Sequence, residues 1–304
     1  MRIQFLGTAA AEGIPALFCA CPVCRRAREA GGKEIRTRSG AIIDGKLKLD
    51  FGPDSFTHML RYHLDYLAMR SVLITHSHSD HLSALEMEFR IPGYCHLPDG
   101  TNPEKPLTLY GNEAVGRQIE KFTQHRSHCL VFQKMTPFEP VRIEEYTVTA
   151  LEAVHCQDRN GEEYPVQFQG RTVFRSEDAL IYLIERDGQR ILYAHDTCEF
   201  TEANMAFLQG KRMDLISLDC TGGSWHYDYS RWVGHMTSEG CLSMRKKLID
   251  AGAADENTVF VANHFSHNGY TDYEDMQRIT PGFLISYDGM TVNLDAEKKG
   301  AEEA

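Results

Sequence analysis

The stretch Val72-Leu73-Ile74-Thr75-His76-Ser77-His78-Ser79-Asp80-His81 sets a short apolar run directly against four side chains of the kind that bind metal ions. Val72–Ile74 predicts a short buried strand. In an extended segment residues i and i+2 point to the same side, so His76 and His78 can converge on one ion. Asp80 and His81 follow in the turn and can meet a second ion close by. Imidazole with carboxylate suits Zn²⁺, Mn²⁺ or Fe²⁺ better than Ca²⁺. Such a density of ligands at a strand end points to a metal centre rather than a solvated turn.

Outward from this motif, strand-like runs alternate with amphipathic helical segments. Strands are predicted at Arg2–Leu6, Ala41–Ile43, Lys46–Asp50, Leu107–Tyr110, Leu130–Phe132 and Tyr146–Ala153, and later at Leu180–Glu185, Arg190–Ala194, Leu215–Leu218 and Val259–Ala262. Asp44-Gly45 and Asp187-Gly188 are hairpin turns. Helices are predicted at Ser55–His63, Glu113–Phe122 and Ser238–Ile249, and residues 7–37 read as a Gly/Ala/Pro/Cys-rich loop. The polar segment 157–177 reads as an inserted loop or extra hairpin, residues 222–233 as a second insertion, and the Lys/Glu/Ala tail after Asp295 as disordered. No repeat or linker divides the chain, so residues 1–304 are expected to form one domain of mixed sheets covered by helices.

Composition narrows the function. The 304 residues are 42% hydrophobic and 25% charged, with a formal net charge of −11, ordinary for a soluble globular protein. That balance argues against a binder of nucleic-acid backbones, which would carry a basic face. A small anionic substrate remains compatible, because bound ions dominate the local charge. No run approaches about 18 apolar residues, so no membrane span is expected. The early apolar run is interrupted by Glu12 and Gly13 and is too short for a signal peptide. A cytoplasmic location is expected, and a homodimer is an assembly the sequence allows. Cys19, Cys21 and Cys24 are three of nine cysteines. Their crowding suits one Zn²⁺ with a fourth tetrahedral position left open, or else three free thiols.

His-x-His-x-Asp-His at 76–81 resembles the signature of the metallo-β-lactamase superfamily. The resemblance implies a four-layer αββα sandwich, two mixed β-sheets flanked by helices. It also implies a His, a bridging Asp and a final His, each after a later strand. His155, Asp196 and His264 stand in those places, after Tyr146–Ala153, Arg190–Tyr193 and Val259–Ala262. Carried over, His76, His78 and His155 would bind one divalent ion, Zn or Mn. Asp80, His81 and His264 would bind the other, with Asp196 bridging. Asp50, in Leu49-Asp50-Phe51-Gly52, resembles an Asp that orients the His loop by hydrogen bonding. His195 is expected to be structural.

A narrower resemblance is to the phosphodiesterases of the carbon–phosphorus lyase pathway. It rests on Phe5-Leu6-Gly7-Thr8-Ala9, Gly13-Ile14-Pro15-Ala16 and Cys19-Ala20-Cys21-Pro22-Val23-Cys24. It implies that His267, three residues after His264, completes a structural zinc with Cys19, Cys21 and Cys24. It also implies that His235, in Gly234-His235-Met236-Thr237, assists phosphodiester cleavage without binding metal. The expected activity is hydrolysis of a small phosphodiester, such as a cyclic phosphate or a nucleotide-like ester, by metal-activated water held at Asp196. The alternatives are a lactonase or other acyl-ester hydrolase of the same fold, and a non-catalytic protein of cofactor synthesis. Trp225, His226, Tyr227, Tyr229 and Trp232 make the 222–233 segment aromatic, which fits a lid over a base or sugar and equally a packed surface loop.

Overall fold

The computed structural model describes residues 1–90, 93–96, 106–123, 129–155, 164–168, 170–175, 178–226, 234–295 and 300–302. In chain order the strands are β1 (Arg2–Gly7), β2 (Gly40–Ile43), β3 (Leu47–Leu49), β4 (Ser71–Leu73), β5 (Leu107–Gly111), β6 (Leu130–Lys134), β7 (Pro140–Ile143) and β8 (Tyr146–Glu152). They continue with β9 (Tyr164–Phe168), β10 (Arg171–Arg175), β11 (Leu180–Arg186), β12 (Gln189–Ala194), β13 (Leu215–Asp219), β14 (Val259–Asn263), β15 (Leu284–Ile285), β16 (Thr291–Asn293) and β17 (Gly300–Glu302). One sheet of eight strands has the order β17-β16-β1-β2-β3-β4-β5-β6, and a second of seven has β15-β14-β13-β12-β11-β8-β7. Both are mixed: β3 to β6 run parallel in the first and β12 to β15 in the second.

The helices are α1 (Pro22–Ala30), α2 (Ser55–Arg61), α3 (Ala84–Met87), α4 (Glu113–Thr123), α5 (Glu202–Leu208), α6 (Ser238–Asp250) and α7 (Tyr273–Ile279). The apolar core falls into three clusters, which is what four layers require. Between the sheets, Phe5, Leu49 and Leu73 meet Val148, Tyr182, Ile184 and Tyr193. Outside the second sheet, Ile181, Leu183 and Leu218 pack with Leu208 of α5, Met244 and Leu248 of α6 and Met276 of α7. Outside the first, Val72 and Leu109 pack with Val115 and Ile119 of α4. Strand β11 shows the cause. Its side chains alternate between faces, so Leu180, Tyr182 and Ile184 enter one cluster and Ile181 and Leu183 the other. A strand covered on both faces must be apolar throughout. The αββα sandwich implied by the sequence is the observed fold.

Some elements depart from the sequence reading. The expected loop at 7–37 contains α1, started by Pro22 in the first turn and by the Cys21 side chain, which accepts from the Cys24 amide. Proline at that position loses no hydrogen bond. Helix α7 was not expected, although Asp272 and Asp275 form a capping box at its start. Strands β9 and β10 pair antiparallel, the second of the two forms expected for that insertion. The tail is corrected at Gly300–Glu302, which adds to the sheet edge beside β16. Edge pairing uses backbone groups, so it needs no apolar pattern. No helix among the described residues is long and apolar enough to cross a membrane.

Candidate metal centre

The fold brings strand ends together before any ligand is considered. Strands β12, β13 and β14 are parallel and in register at Ala194↔Leu218 and Asp219↔Asn263, so Asp196, Asp219 and His264 lie at one edge. Strand β8 runs antiparallel to β11, with Glu152 opposite Leu180, which sends His155 to the same edge. The Leu180 amide donates to the Thr75 carbonyl at 2.9 Å, and this bond joins the His76–His81 turn of the first sheet to the second. Asp50, Asp196 and His264 all take left-handed backbone conformations, with φ of 59°, 51° and 64°. Such conformations are uncommon outside glycine and gather at functional sites. The chain turns at Gly52 pass very close to this turn: a Cβ there would sit 1.9 Å from the Asp80 carbonyl oxygen.

Every expected residue of the dinuclear set reaches this place. His76, His78 and His155 converge, as do Asp80, His81 and His264. Asp196 lies between the groups. Its Oδ2 is 2.8 Å from His81 Nε2 and 2.9 Å from His264 Nε2, while its Oδ1 is 3.7 Å from His155 Nε2. His155 Nε2 in turn approaches His78 Nδ1 at 3.2 Å. One carboxylate oxygen toward each cluster is the arrangement of a bridging ligand.

Metal ions fit this donor set. His76 Nε2, His81 Nε2, His264 Nε2 and Asp196 Oδ2 are buried and make no hydrogen bond, although some of them stand within hydrogen-bond distance. Buried polar atoms are otherwise almost always satisfied. The opposite ring nitrogens are held as metal-bound imidazoles usually are. His81 Nδ1 donates to Asp50 Oδ2 at 2.8 Å, and His155 Nδ1 to the Gly234 carbonyl at 3.2 Å. Thr221 Oγ1 lies 2.8 Å from His264 Nδ1, and Thr75 Oγ1 lies 3.0 Å from His76 Nδ1. Asp50 Oδ1 also accepts the Thr75 amide and hydroxyl, so the expected orienting role matches its contacts. Burial disfavours the charged form of His81, yet Asp80, Asp196 and Asp50 overcome it and raise its affinity for a proton.

His235 lies beside the centre, outside both trios but gathered with Asp196, Asp219 and His264 in a further group of ligand-type side chains. Its Nδ1 is 2.9 Å from Asp219 Oδ2 and 3.8 Å from Asp196 Oδ1. Burial opposes its charged form, but the Asp219 carboxylate prevails and pushes its pKa up to about 9. Asp219 is the residue whose part the sequence reading left unassigned. It is fully buried, and it also accepts the backbone amides of Asp196, Thr221 and Met236. A lone carboxylate ending the run Leu215–Leu218 was its signal. His195 is a buried residue beside the end of β12, within 2.8 Å of Ser217 Oγ and packed against Tyr193 with ring centroids 3.9 Å apart and planes tilted by 50°. Burial, reinforced by His264, lowers its pKa to about 3.

The thiols form a second cluster. Cys19, Cys21, Cys24 and His267 converge, with His267 Nδ1 3.6 Å from Cys19 Sγ and 3.5 Å from Cys21 Sγ. A tetrahedral site with Zn–S bonds of about 2.3 Å has sulfur–sulfur edges of about 3.8 Å, so one ion fits. Burial opposes the Cys21 thiolate, but the Cys24 amide, Cys19 and His267 together bring its pKa down to about 6, and the thiolate is the metal-binding form.

Over the dinuclear cluster opens a cavity of about 270 Å³, lined by His78, Asp80, His155, Asp196, His235 and His264 on its floor. Trp225 stands on its wall, 38% exposed, with Tyr270 6.1 Å away between ring centroids. Tyr227, Tyr229 and Trp232 lie outside the described residues.

The chain belongs to the metallo-β-lactamase superfamily of metal-dependent hydrolases: the beta-lactamase superfamily domain matches residues 49–289. Among curated proteins it is similar to coenzyme PQQ synthesis protein B of Methylobacterium radiotolerans, at 24% identity over 97% of this chain and 100% of that protein. Among solved structures it is similar to a diphosphatase from the PhnP family, with a TM-score of 0.67 and 20% identity over 96% of this chain and 97% of the other. It is also similar to Zn²⁺-bound PqqB from Methylobacterium extorquens, with a TM-score of 0.69 and 19% identity over 96% and 100% of the two chains.

Proposed function

We propose that this protein is a dinuclear metal-dependent phosphodiesterase acting on a small anionic ester. The observation that carries the proposal is His235. It is an imidazole on the cavity floor outside both trios, held by Asp219 and raised to about 9. Bound divalent ions would supply activation of a water and polarisation of the ester. His76, His78 and His155 would hold one, Asp80, His81 and His264 the other, and Asp196 both. Zn²⁺ and Mn²⁺ both suit these ligands.

The remaining work falls to the chain's own groups. The leaving alkoxide of a phosphodiester needs a proton, and protonated His235 can donate it from its Nε2. Asp219 fixes the ring through Nδ1 and stabilises its charged form. A diphosphatase of similar fold supports phosphoryl rather than acyl chemistry.

A second reading, a cofactor-synthesis protein, is favoured by the likeness to coenzyme PQQ synthesis protein B along nearly the whole chain. The experiment that separates the two loads the protein in turn with Zn²⁺ and Mn²⁺ and presents phosphodiesters, lactones and thioesters. Phosphodiester turnover is expected. Lactone preference would point to the acyl-ester alternative, and inertness toward all three to the second reading.

Metal content gives a separate expectation. Protein purified without chelator should carry close to three ions per chain, the third a structural Zn²⁺ at Cys19, Cys21, Cys24 and His267. Cys21→Ser should lose one ion and lower Tm, because structural zinc contributes directly to folding. Elemental analysis that finds at most two ions, unchanged in Cys21→Ser, would remove the thiol site.

A further inference from the structure

Glu12 lines the cavity with the metal-cluster residues but belongs to neither metal group. Its loop is fastened on both sides of it. The Ala10 amide donates to the Phe265 carbonyl at 2.9 Å, and the Ile14 amide to that of Arg36 at 2.9 Å. The side chain is fastened too. Oε1 accepts from Ser266 Oγ and, at 3.4 Å, from Asn268 Nδ2, and it stands 3.5 Å from His267 Nε2. All of these contacts fall on Oε1. Oε2 has no partner among the described residues, and the side chain is 30% exposed. The cavity is therefore lined by a carboxylate whose Oε1 is fastened and whose Oε2 has no partner among the described residues.

A carboxylate held in a partly closed cavity acts on a ligand in two ways. It accepts a hydrogen bond from a hydroxyl, and charge-assisted bonds of this kind are the strong ones. It also repels a second anionic group, because like charges brought together across a binding surface are costly. We propose that Glu12 sets the charge selectivity of this cavity, accepting a hydroxyl from a neutral substituent of a phosphoryl ligand and excluding a substituent that carries its own anionic group. The inference rests on the reading of the site as a phosphoryl-binding metal centre. His267 belongs to the thiol site and also stands 3.5 Å from Glu12 Oε1, so the thiol site helps to hold Glu12 in place.

Glycerol 3-phosphate and 3-phosphoglycerate test it. Both offer a phosphate to the metal centre and hydroxyl to the wall, but the second ends in a carboxylate where the first has an alcohol. Calorimetry on the metal-loaded full chain is expected to show glycerol 3-phosphate bound at least about tenfold more tightly. Glu12→Gln keeps the shape and the Oε1 acceptor, so the fold and the ion count should persist. It is expected to narrow the preference to within about twofold, partly by tightening 3-phosphoglycerate. Tightening of one ligand is a change that loss of structure would not produce. Equal wild-type binding of the two ligands, no binding of either, or a parallel weakening of both in Glu12→Gln would overturn the role. A chain that shows the expected preference yet leaves bis(4-nitrophenyl) phosphate intact would keep Glu12 and discard the phosphodiesterase reading.

Discussion

Asp196→Ala is expected to abolish turnover. Among the described residues, this is the carboxylate that faces both metal groups, with Oδ2 at His81 and His264 and Oδ1 toward His155. Its removal takes away a ligand of each ion and the positioning of the attacking water. The loss should exceed the roughly 10²–10³-fold that removing a single transition-state contact costs. Asp196 also has φ of 51°, a conformation that Ala tolerates less well than Asn. Asp196→Asn is therefore the companion variant, since it keeps the backbone and most of the shape while weakening the metal ligand. Both variants should fold, hold fewer ions than the parent by mass spectrometry, and fail to cleave bis(4-nitrophenyl) phosphate. Retention of the full ion count with turnover within tenfold of wild type would show that Asp196 does not bridge.

His235→Ala is expected to keep the full metal content and to slow cleavage of alkyl phosphodiesters by about 10²-fold or more, the usual contribution of a positioned acid. The loss should shrink for a nitrophenolate leaving group, which departs without a proton. The pH profile carries a second expectation. Asp219 overcomes burial and raises the His235 pKa to about 9, so the proton donor is fully present below that value. It is lost as pH rises through it. Turnover of alkyl esters should fall above about pH 9, and that limb should be absent in His235→Ala. Equal losses for both leaving groups, with no change in the alkaline limb, would make His235 a binding or structural residue. The neighbour that raises it, Asp219, ends β13, away from the loop that carries His235, and could not be paired with it from the sequence.

The site was legible where its chemistry is local. His76, His78, Asp80 and His81 are contiguous, and the apolar run before them marks the strand that presents them. His155, Asp196 and His264 are single residues of common types, and they became readable through their order after predicted strands. The αββα layering was implied by the resemblance that the His76–His81 motif carries, and runs such as Leu180–Ile184, buried on both faces, are where it shows in the core. The sequence could not carry the partners that only the fold brings close. Asp219 serves the cavity by accepting amides from Asp196, Thr221 and Met236. Glu12 is held by Ser266 and Asn268 from the far end of the chain. Helix α1 was hidden by a composition that reads as loop, and β17 by pairing that depends on backbone rather than side chains.

The most direct test of a dinuclear phosphodiesterase is turnover of bis(4-nitrophenyl) phosphate measured against the number of ions bound per chain, on protein stripped with chelator and reloaded with Zn²⁺ or Mn²⁺. The expected result is that hydrolysis appears with the ions beyond the structural zinc and reaches its plateau when three are bound. A chain that binds three ions and shows no phosphodiester hydrolysis with either metal would contradict it.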